Sequence, residues 1–392
     1  MKIALTLEHV DGRKTGVGRC AFELARALAR QAPEHEVVVL SPMALDPADR
    51  RALEAAGRVR VADRSPRWQE GLPPEVRVPL WTELTLRRRL RAERPEAFLH
   101  TGAVWPLVPF RGPGRRLAFV HDLIPLLYPD YFRRRSHWHF RLTRRTNLGA
   151  FHGFVVNSEA TGRDLQRAYG VDRRAVTVAP LGRDERFAPV ADPELRARVR
   201  ARYGLPGAYL LAAGTLEPRK NLDGLVEAYA RCAAARELPL VIVGKKGWMY
   251  ERVFAAVARH GLDDRVLFPG YVADEDLPAV YAQARVFVYP SFYEGFGLPV
   301  LEAMACGVPV VTSTTSSLPE VAGDGALLVD PRDVGGLARA LDALVGDPAR
   351  AARLARAGRE RAARFTWAET ARRTLAALGL PPSGEEATEA RR

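Results

Sequence analysis

Four side chains stand out for the chemistry they could do. Glu294 and Glu302 lie eight positions apart in "SFYEGFGLPVLEAMACGVPVV", separated by a glycine-bearing turn and the start of an apolar run. Arg219 and Lys220 are adjacent in "GTLEPRKNL" and stand immediately before Asn221, a residue type that caps helices. Two cations at the positive end of a helix make an anion site. A phosphate there would receive charge-assisted hydrogen bonds worth roughly 1.5 to 3 kcal/mol each. Carboxylates accept hydrogen bonds in pairs and so suit sugar hydroxyls, as an acidic residue does at the ribose in dinucleotide folds. The glutamates could instead be the acid and base of a hydrolase, whose separation no sequence measures. The Arg-Lys pair argues for a phosphorylated donor, and therefore for transfer. Each feature also has a plainer reading: a solvated basic cap with Glu217 as partner, and dipole compensation by Glu302.

These residues need elements to place them. "VFVYPS" reads as a buried strand, "FYEGFG" as a turn loosened by Gly295 and Gly297, and "LPVLEAMAC" as a helix beginning near Pro299 and stopping at Gly307. Glu302 then falls within about the first turn of the helix and Glu294 in the turn before it. "YLLAAG" is the strand ahead of the Arg-Lys pair, and "DED" at Asp274 to Asp276 reads as a helix cap. Lys245 and Lys246 in "VGKKGW" also lie at a strand end.

The same alternation runs through the chain. "KIALTLE", "EVVVLSP", "FLHTGA", "LAFVHD", "GFVVNS" and "AVTVAPLG" in the first half, and "YLLAAG", "LPLVIVG", "RVLFPG", "VFVYPS", "VPVVTS" and "ALLVDP" in the second, are strand runs divided by helical stretches. Nearly continuous apolar strands of this kind form parallel sheets covered on both faces. At 392 residues the chain exceeds one ordinary core, so an α/β fold of two doubly wound, Rossmann-like domains is expected. Ligands in such sheets bind beyond the carboxyl ends of the strands, so facing domains would share one cleft. Pro180, Pro189 and Pro193 interrupt regular structure near the boundary. The expected division is 1–185, 186–365, a closing helix over 366–381 and a frayed tail over 382–392.

Bulk properties narrow the classes. Hydrophobic residues make up 47% and charged residues 27%, as in folded soluble proteins. No apolar run reaches membrane-spanning length and the first residues turn charged early, so a cytoplasmic protein is expected. Cys20, Cys232 and Cys306 stand singly, which argues against disulfides or a zinc ribbon.

Taken together, "EGFGLPVLEAMACGVPVV", "GTLEPRKN" and "FPGYV", in that spacing, closely resemble the retaining glycosyltransferases of family four, also called group 1, which have the two-Rossmann-domain architecture GT-B. "DGRKTGVGRCAFELARAL" resembles their glycine loop between first strand and first helix, and "FVHDLIPLLYP" the His-Asp segment of mannosyltransferase-like members. With "VVNSEAT", "VAPLG" and "FTWAETARRTLAAL" the similarity covers nearly the whole chain. The resemblance implies that Arg219 and Lys220 hold the diphosphate of a nucleotide-sugar donor. Gly214 and Thr215 would adjoin it, Glu302 would accept the ribose hydroxyls, and Glu294, within the turn of Gly295, Phe296, Gly297 and Leu298, would touch the transferred sugar. Tyr271 and Val272 would edge the base. On the amino-terminal, acceptor-side domain, Gly16 and Gly18 would let backbone approach the phosphates, His121 would contact the sugar and Asp122 would orient the acceptor. Without the resemblance, His121 reads first as a strand-end histidine hydrogen-bonded in place. Thr215 stands where some relatives carry an arginine, which leaves the donor's identity open. The last helix would cross back to the first domain. No resident cofactor and no divalent metal is implied, because the two cations can stand in for a metal. The acceptor would be a saccharide, a lipid-linked molecule or another small molecule. A sugar-nucleotide epimerase of the same architecture lacks the "EGFGLPVLEAMA" element, and a non-catalytic basic binding protein would not need all four charged residues.

The formal charge of +13 remains to be explained. Either composition alone produces it, or part of it serves a partner. "FRRRSHWHFRLTRR", Phe132 to Arg145, holds six arginines with Trp138, Phe140 and Leu142 and no acid, as a helix lying on anionic lipid would. No nucleic-acid module is present in the sequence, so no nucleic-acid partner is expected. A basic surface helix beside a phosphate-rich cleft would read the same way, and co-sedimentation with anionic vesicles at physiological salt decides between them: pelleting with the lipid is the result membrane contact requires, and a fully soluble fraction would end that idea.

Overall fold

The computed structural model describes residues 1–8, 16–62, 69, 71–102, 114–128 and 148–380, so Phe132–Arg145 and the tail lie outside the described residues. Two compact units result. Residues 1–182 and 366–392 form the first, and Arg183–Phe365 form the second.

The first unit carries a seven-stranded sheet in the order β3-β2-β1-β4-β5-β6-β7. The strands are β1 (Lys2–Thr6), β2 (Glu36–Leu40), β3 (Val59–Ala62), β4 (Ala97–His100), β5 (Arg115–Val120), β6 (Gly153–Val156) and β7 (Val176–Val178). All pairings are parallel, with Ile3 opposite both Val37 and Ala97. Val38, Leu40, Phe98, Val120 and Phe154 point into one core with Trp81 and Leu165. β3 does not stand out in the sequence, because it is short and exposes Arg60, so its apolar signal is only Val59, Val61 and Ala62.

The second unit carries six parallel strands in the order β10-β9-β8-β11-β12-β13. These are β8 (Tyr209–Ala213), β9 (Leu240–Val243), β10 (Val266–Gly270), β11 (Ala284–Tyr289), β12 (Val310–Ser313) and β13 (Leu327–Val329). Sequence order reverses direction across the sheet between β8 and β11, so their exit loops part and leave room at the strands' carboxyl ends. Gly244, just past β9, has φ +148°, and a Cβ there would lie 1.9 Å from Gly214 O. Only glycine lets these two exits pass so closely.

Five helices frame the two sheets where the charged residues sit or where the chain ends: α1 (Gly16–Gln31), α2 (Leu222–Arg231), α3 (Leu277–Ala282), α4 (Leu298–Ala305) and α5 (Trp367–Leu378). Although α5 comes last in the chain, it packs on α1 in the first unit. Thr366 caps it by accepting from Glu369 N, Thr370 Oγ1 donates to Pro180 O at 2.6 Å, and Arg373 donates to Val178 O at 3.1 Å. Pro193 does not interrupt regular structure as expected. It opens a helix over Pro193–Tyr203, where a fixed φ and a missing N–H are harmless, and Asp192 caps that helix. All three cysteines are buried and free. No helix among the described residues is long and apolar enough to cross a membrane.

Candidate active site

In the second unit, the exit of β8 and the exit of β11 are tied together by charge. Arg219 and Lys220 occupy a short helical turn over Pro218–Lys220, and Glu294 lies in the loop after β11. All three are buried, as is Glu217. Arg219 Nη1 reaches Glu294 Oε2 at 2.6 Å and donates to Tyr293 O at 2.8 Å, while Nη2 pairs with Glu217. Lys220 Nζ donates to Glu294 Oε1 at 2.7 Å and to Tyr289 Oη at 2.5 Å. One carboxylate is thus gripped on each oxygen by a different cation.

The electrostatics follow from this packing. Burial pushes the Glu294 carboxyl up, but the charges and hydrogen bonds of Arg219 and Lys220 outweigh it and bring it from 4.5 down to about 2. Burial lowers Lys220, the neighbouring Arg219 charge lowers it further, and Glu294 and Glu217 only partly oppose them. Arg219, whose burial would weaken its charge, is instead held above its ordinary value by Glu294 and Glu217.

The loop from Pro290 to Gly297 is clamped from both sides. Phe292 N donates to Arg219 O at 2.9 Å. Glu294 N donates to Ser316 Oγ at 2.9 Å, and Ser317 Oγ donates to the carbonyls of Glu294 and Phe296. Ser316 adopts φ +55°, a conformation few side chains accept. Asn221 does not act as the helix cap its type suggests. It too lies at φ +55°, makes no side-chain cap bond to α2, and spends Nδ2 on Pro290 O and Pro331 O at 3.2 and 2.7 Å. Gly224 makes room for it, since a Cβ there would sit 2.3 Å from Asn221 Oδ1.

Glu302 is the fifth residue of α4, just past the first turn, because the helix starts at Leu298. It is buried and accepts from Tyr281 Oη of α3 at 3.1 Å. Burial, and then the Glu302 charge, hold Tyr281 as a phenol well above its usual range. Beside it, Cys306 is pushed up to about 12, first by burial and then by Glu302.

The remaining residues are spread out. Gly214 follows β8 with φ +137°, beside the Lys220 side chain, and Thr215 is exposed. Gly295 and Phe296 are buried, Gly297 has φ +108°, and Leu298 opens α4. Tyr271 and Val272 follow the edge strand β10, two strands from β8, and Lys245 lies 4.8 Å over the exposed Tyr271 ring. Lys246 covers Tyr250 and Phe254 in the same way. Asp276 is no side-chain cap; it accepts from Arg202 and Tyr203 at 2.8 and 2.9 Å, because those donors reach it from another helix. His121 and Asp122 belong to the first unit. There the His121 Nε2 lies 3.1 Å from Thr101 O, Asn157 Nδ2 donates to His121 O, and Asp122 accepts from Ile124 N. Gly16 and Gly18 are not in a loop but in the first turn of α1, with helical backbone. Tyr289, Ser316 and Ser317 are parts of the site that the sequence did not single out, whereas Glu217 partners Arg219 as its plainer reading has it, though buried and not solvated. A tyrosine closing a run as apolar as "VFVYPS" was the one available signal, since a buried hydroxyl needs a partner.

Residues 198–361 match the family described as Glycosyl transferases group 1, and residues 14–187 match Glycosyltransferase Family 4. O-antigen chain mannosyltransferase B of Escherichia coli is 32% identical over 393 residues, covering 97% of this chain and 100% of that one. The chain belongs to the group 1 glycosyltransferases. A second relative of this glycosyltransferase, the D-inositol 3-phosphate glycosyltransferase of Stackebrandtia nassauensis, is 37% identical over 57% of this chain and 53% of its own. Among solved structures, Anabaena Alr3699/HepE in complex with UDP and glucose superposes with TM-score 0.69 at 20% identity, covering 96% of this chain and 98% of that one. Sucrose-phosphate synthase from Thermosynechococcus elongatus gives 0.69 at 24% identity, covering 94% and 96%. The fold of this glycosyltransferase is GT-B.

The Glu294 ion pairs carry a pH signature. A carboxyl with a folded pKa depressed from 4.5 to about 2 stabilises the fold fully above pH 4.5 and loses that contribution as pH falls toward 2. Glu294→Gln should therefore lower stability at pH 7 by roughly 3 kcal/mol, and the gap to the wild type should close below pH 4.5. Urea unfolding of both proteins between pH 7 and pH 3 measures it; a gap that stays constant would contradict the assignment.

Proposed function

We propose that this glycosyltransferase moves a hexose, with mannose the first candidate, from a nucleotide diphosphate sugar to a hydroxyl of a saccharide or lipid-linked acceptor. We further propose that it retains the anomeric configuration, needs no divalent metal and works in the cytoplasm. The observation that carries this reading is the interlocked Arg219, Lys220 and Glu294 at the switch point of the second sheet. The name of the O-antigen chain mannosyltransferase supports mannose and a saccharide acceptor, and the UDP and glucose bound to HepE support a nucleotide-sugar donor.

In this reading the diphosphate approaches the cations from the strands' carboxyl ends. Breaking the bond between anomeric carbon and phosphate oxygen leaves negative charge on the diphosphate. Cations fixed in place stabilise that charge more in the transition state than in the ground state. The acceptor oxygen forms the new bond, and its proton passes to the departing phosphate oxygen. Glu294, held rigidly by two cations, presents its carboxylate to the transferred sugar, and Glu302 takes the ribose hydroxyls. Tyr271 and Val272 edge the base, while His121 and Asp122 of the first unit serve the sugar and the acceptor.

Calorimetric titration of GDP, UDP and ADP, in EDTA and again with magnesium, tests the reading. One nucleotide should bind equally well in both conditions. Lys220→Ala should weaken it roughly tenfold to a hundredfold, as expected for one charge-assisted contact, and Glu302→Ala should weaken it about tenfold. No binding by any of the three, or binding only with metal, would overturn it.

A further inference from the structure

Tyr289 closes β11 and is almost wholly enclosed. Its hydroxyl oxygen lies 2.5 Å from Lys220 Nζ, and its ring centroid lies 4.8 Å from the same nitrogen. Glu294 Oε1 takes a second N–H of the same nitrogen at 2.7 Å. A phenol oxygen carries lone pairs, and one of them takes an N–H from Lys220. The backbone of Tyr289 is fixed in turn, because Thr312 Oγ1 on the adjoining β12 donates to Tyr289 O at 2.8 Å. An ammonium has three N–H donors, and here Tyr289 and Glu294 take two of them. The direction of the third follows from those two by tetrahedral geometry.

We propose that Tyr289 is a positioning residue of the donor site, whose phenolic oxygen fixes the direction in which Lys220 presents its remaining N–H to the diphosphate. The inference rests on the reading of this site as a diphosphate site. It also has a consequence for charge. The groups facing Lys220 are Arg219, Glu217, Glu294 and Tyr289, and of these Arg219, together with burial, pushes the lysine toward the neutral amine. Burial, and then the Glu294 charge, hold Tyr289 well above its usual range, so it remains a phenol and its oxygen stays an acceptor that supports the ammonium. Removing that acceptor makes Lys220 lose its proton at lower pH, and anion binding is lost with the proton as pH rises.

Tyr289→Phe keeps the ring and its packing and deletes only the oxygen. Two measurements on the full chain test the inference. The first follows Lys220 in nucleotide-free protein labelled with 13C at lysine Cε, assigned by its absence in Lys220→Arg. The Lys220 titration should move to lower pH in Tyr289→Phe, and an unmoved titration would overturn the inference. The second is the dissociation constant of the bound nucleoside diphosphate from pH 7 to pH 10. Tyr289→Phe should bind about threefold to tenfold more weakly at pH 7, as expected for one lost hydrogen bond, with the loss widening as pH rises. Parallel pH profiles in the two proteins would overturn it as a merely structural effect. Should the wild type bind no nucleotide, the diphosphate reading is what fails, and the lysine titration still decides whether Tyr289 holds Lys220.

Discussion

Everything in the second unit turns on one constraint: buried charges must be neutralised where they stand. Arg219 and Lys220 face Glu217 and Glu294 in a buried cluster, two charges of each sign. Removing one partner of such a set leaves an uncompensated charge, at a cost of about 3 to 5 kcal/mol. Because Glu217, Arg219 and Lys220 come after β8 and Glu294 after β11, the pairing fixes one loop to the other across the point where the strand order reverses. Asn221, Ser316 and Ser317 then have a defined loop to hold, and they hold it through its own carbonyls and amides.

The same neutrality lets two buried cations stand side by side. Arg219 and Lys220 are held in place by Glu294, which serves both as counter-charge. Preorganised charge of this kind needs little rearrangement when negative charge develops on a leaving group. Parallel sheets supply the setting, since their strand ends put loops, and not side chains of the core, at the reacting end.

Much of this was legible in the residues. β8, β9 and most of β11 announce themselves as apolar runs, because the middle of the sheet is buried on both faces, whereas β12 ends on Thr312 and Ser313 and the edges β10 and β13 are only half-buried. The Arg-Lys pair and the two glutamates announce themselves because charged residues are rarely spent beside such runs. What could not be read were choices made between near-equal partners at long range. Asn221 could cap α2 or bridge Pro290 and Pro331, which lie 69 and 110 positions away, and only the folded loop decides. Asp276 faced the same choice, and Arg202 and Tyr203 won it. Tyr289 was hidden by its strand, whose pattern accounts for the ring and says nothing of the hydroxyl. The resemblance puts Gly16 and Gly18 in a glycine loop, yet α1 begins with them, since glycine costs a helix only about 1 kcal/mol and the rest of the helix outweighs it.

On the proposed reading the donor's diphosphate binds at the Lys220–Glu294 pair. A crystal structure of the glycosyltransferase with the nucleoside diphosphate it binds addresses this most directly. The terminal phosphate should lie within hydrogen-bond distance of Lys220 Nζ and the ribose hydroxyls on Glu302. A nucleotide seated away from both, with the Lys220–Glu294 pair untouched by phosphate, would contradict it.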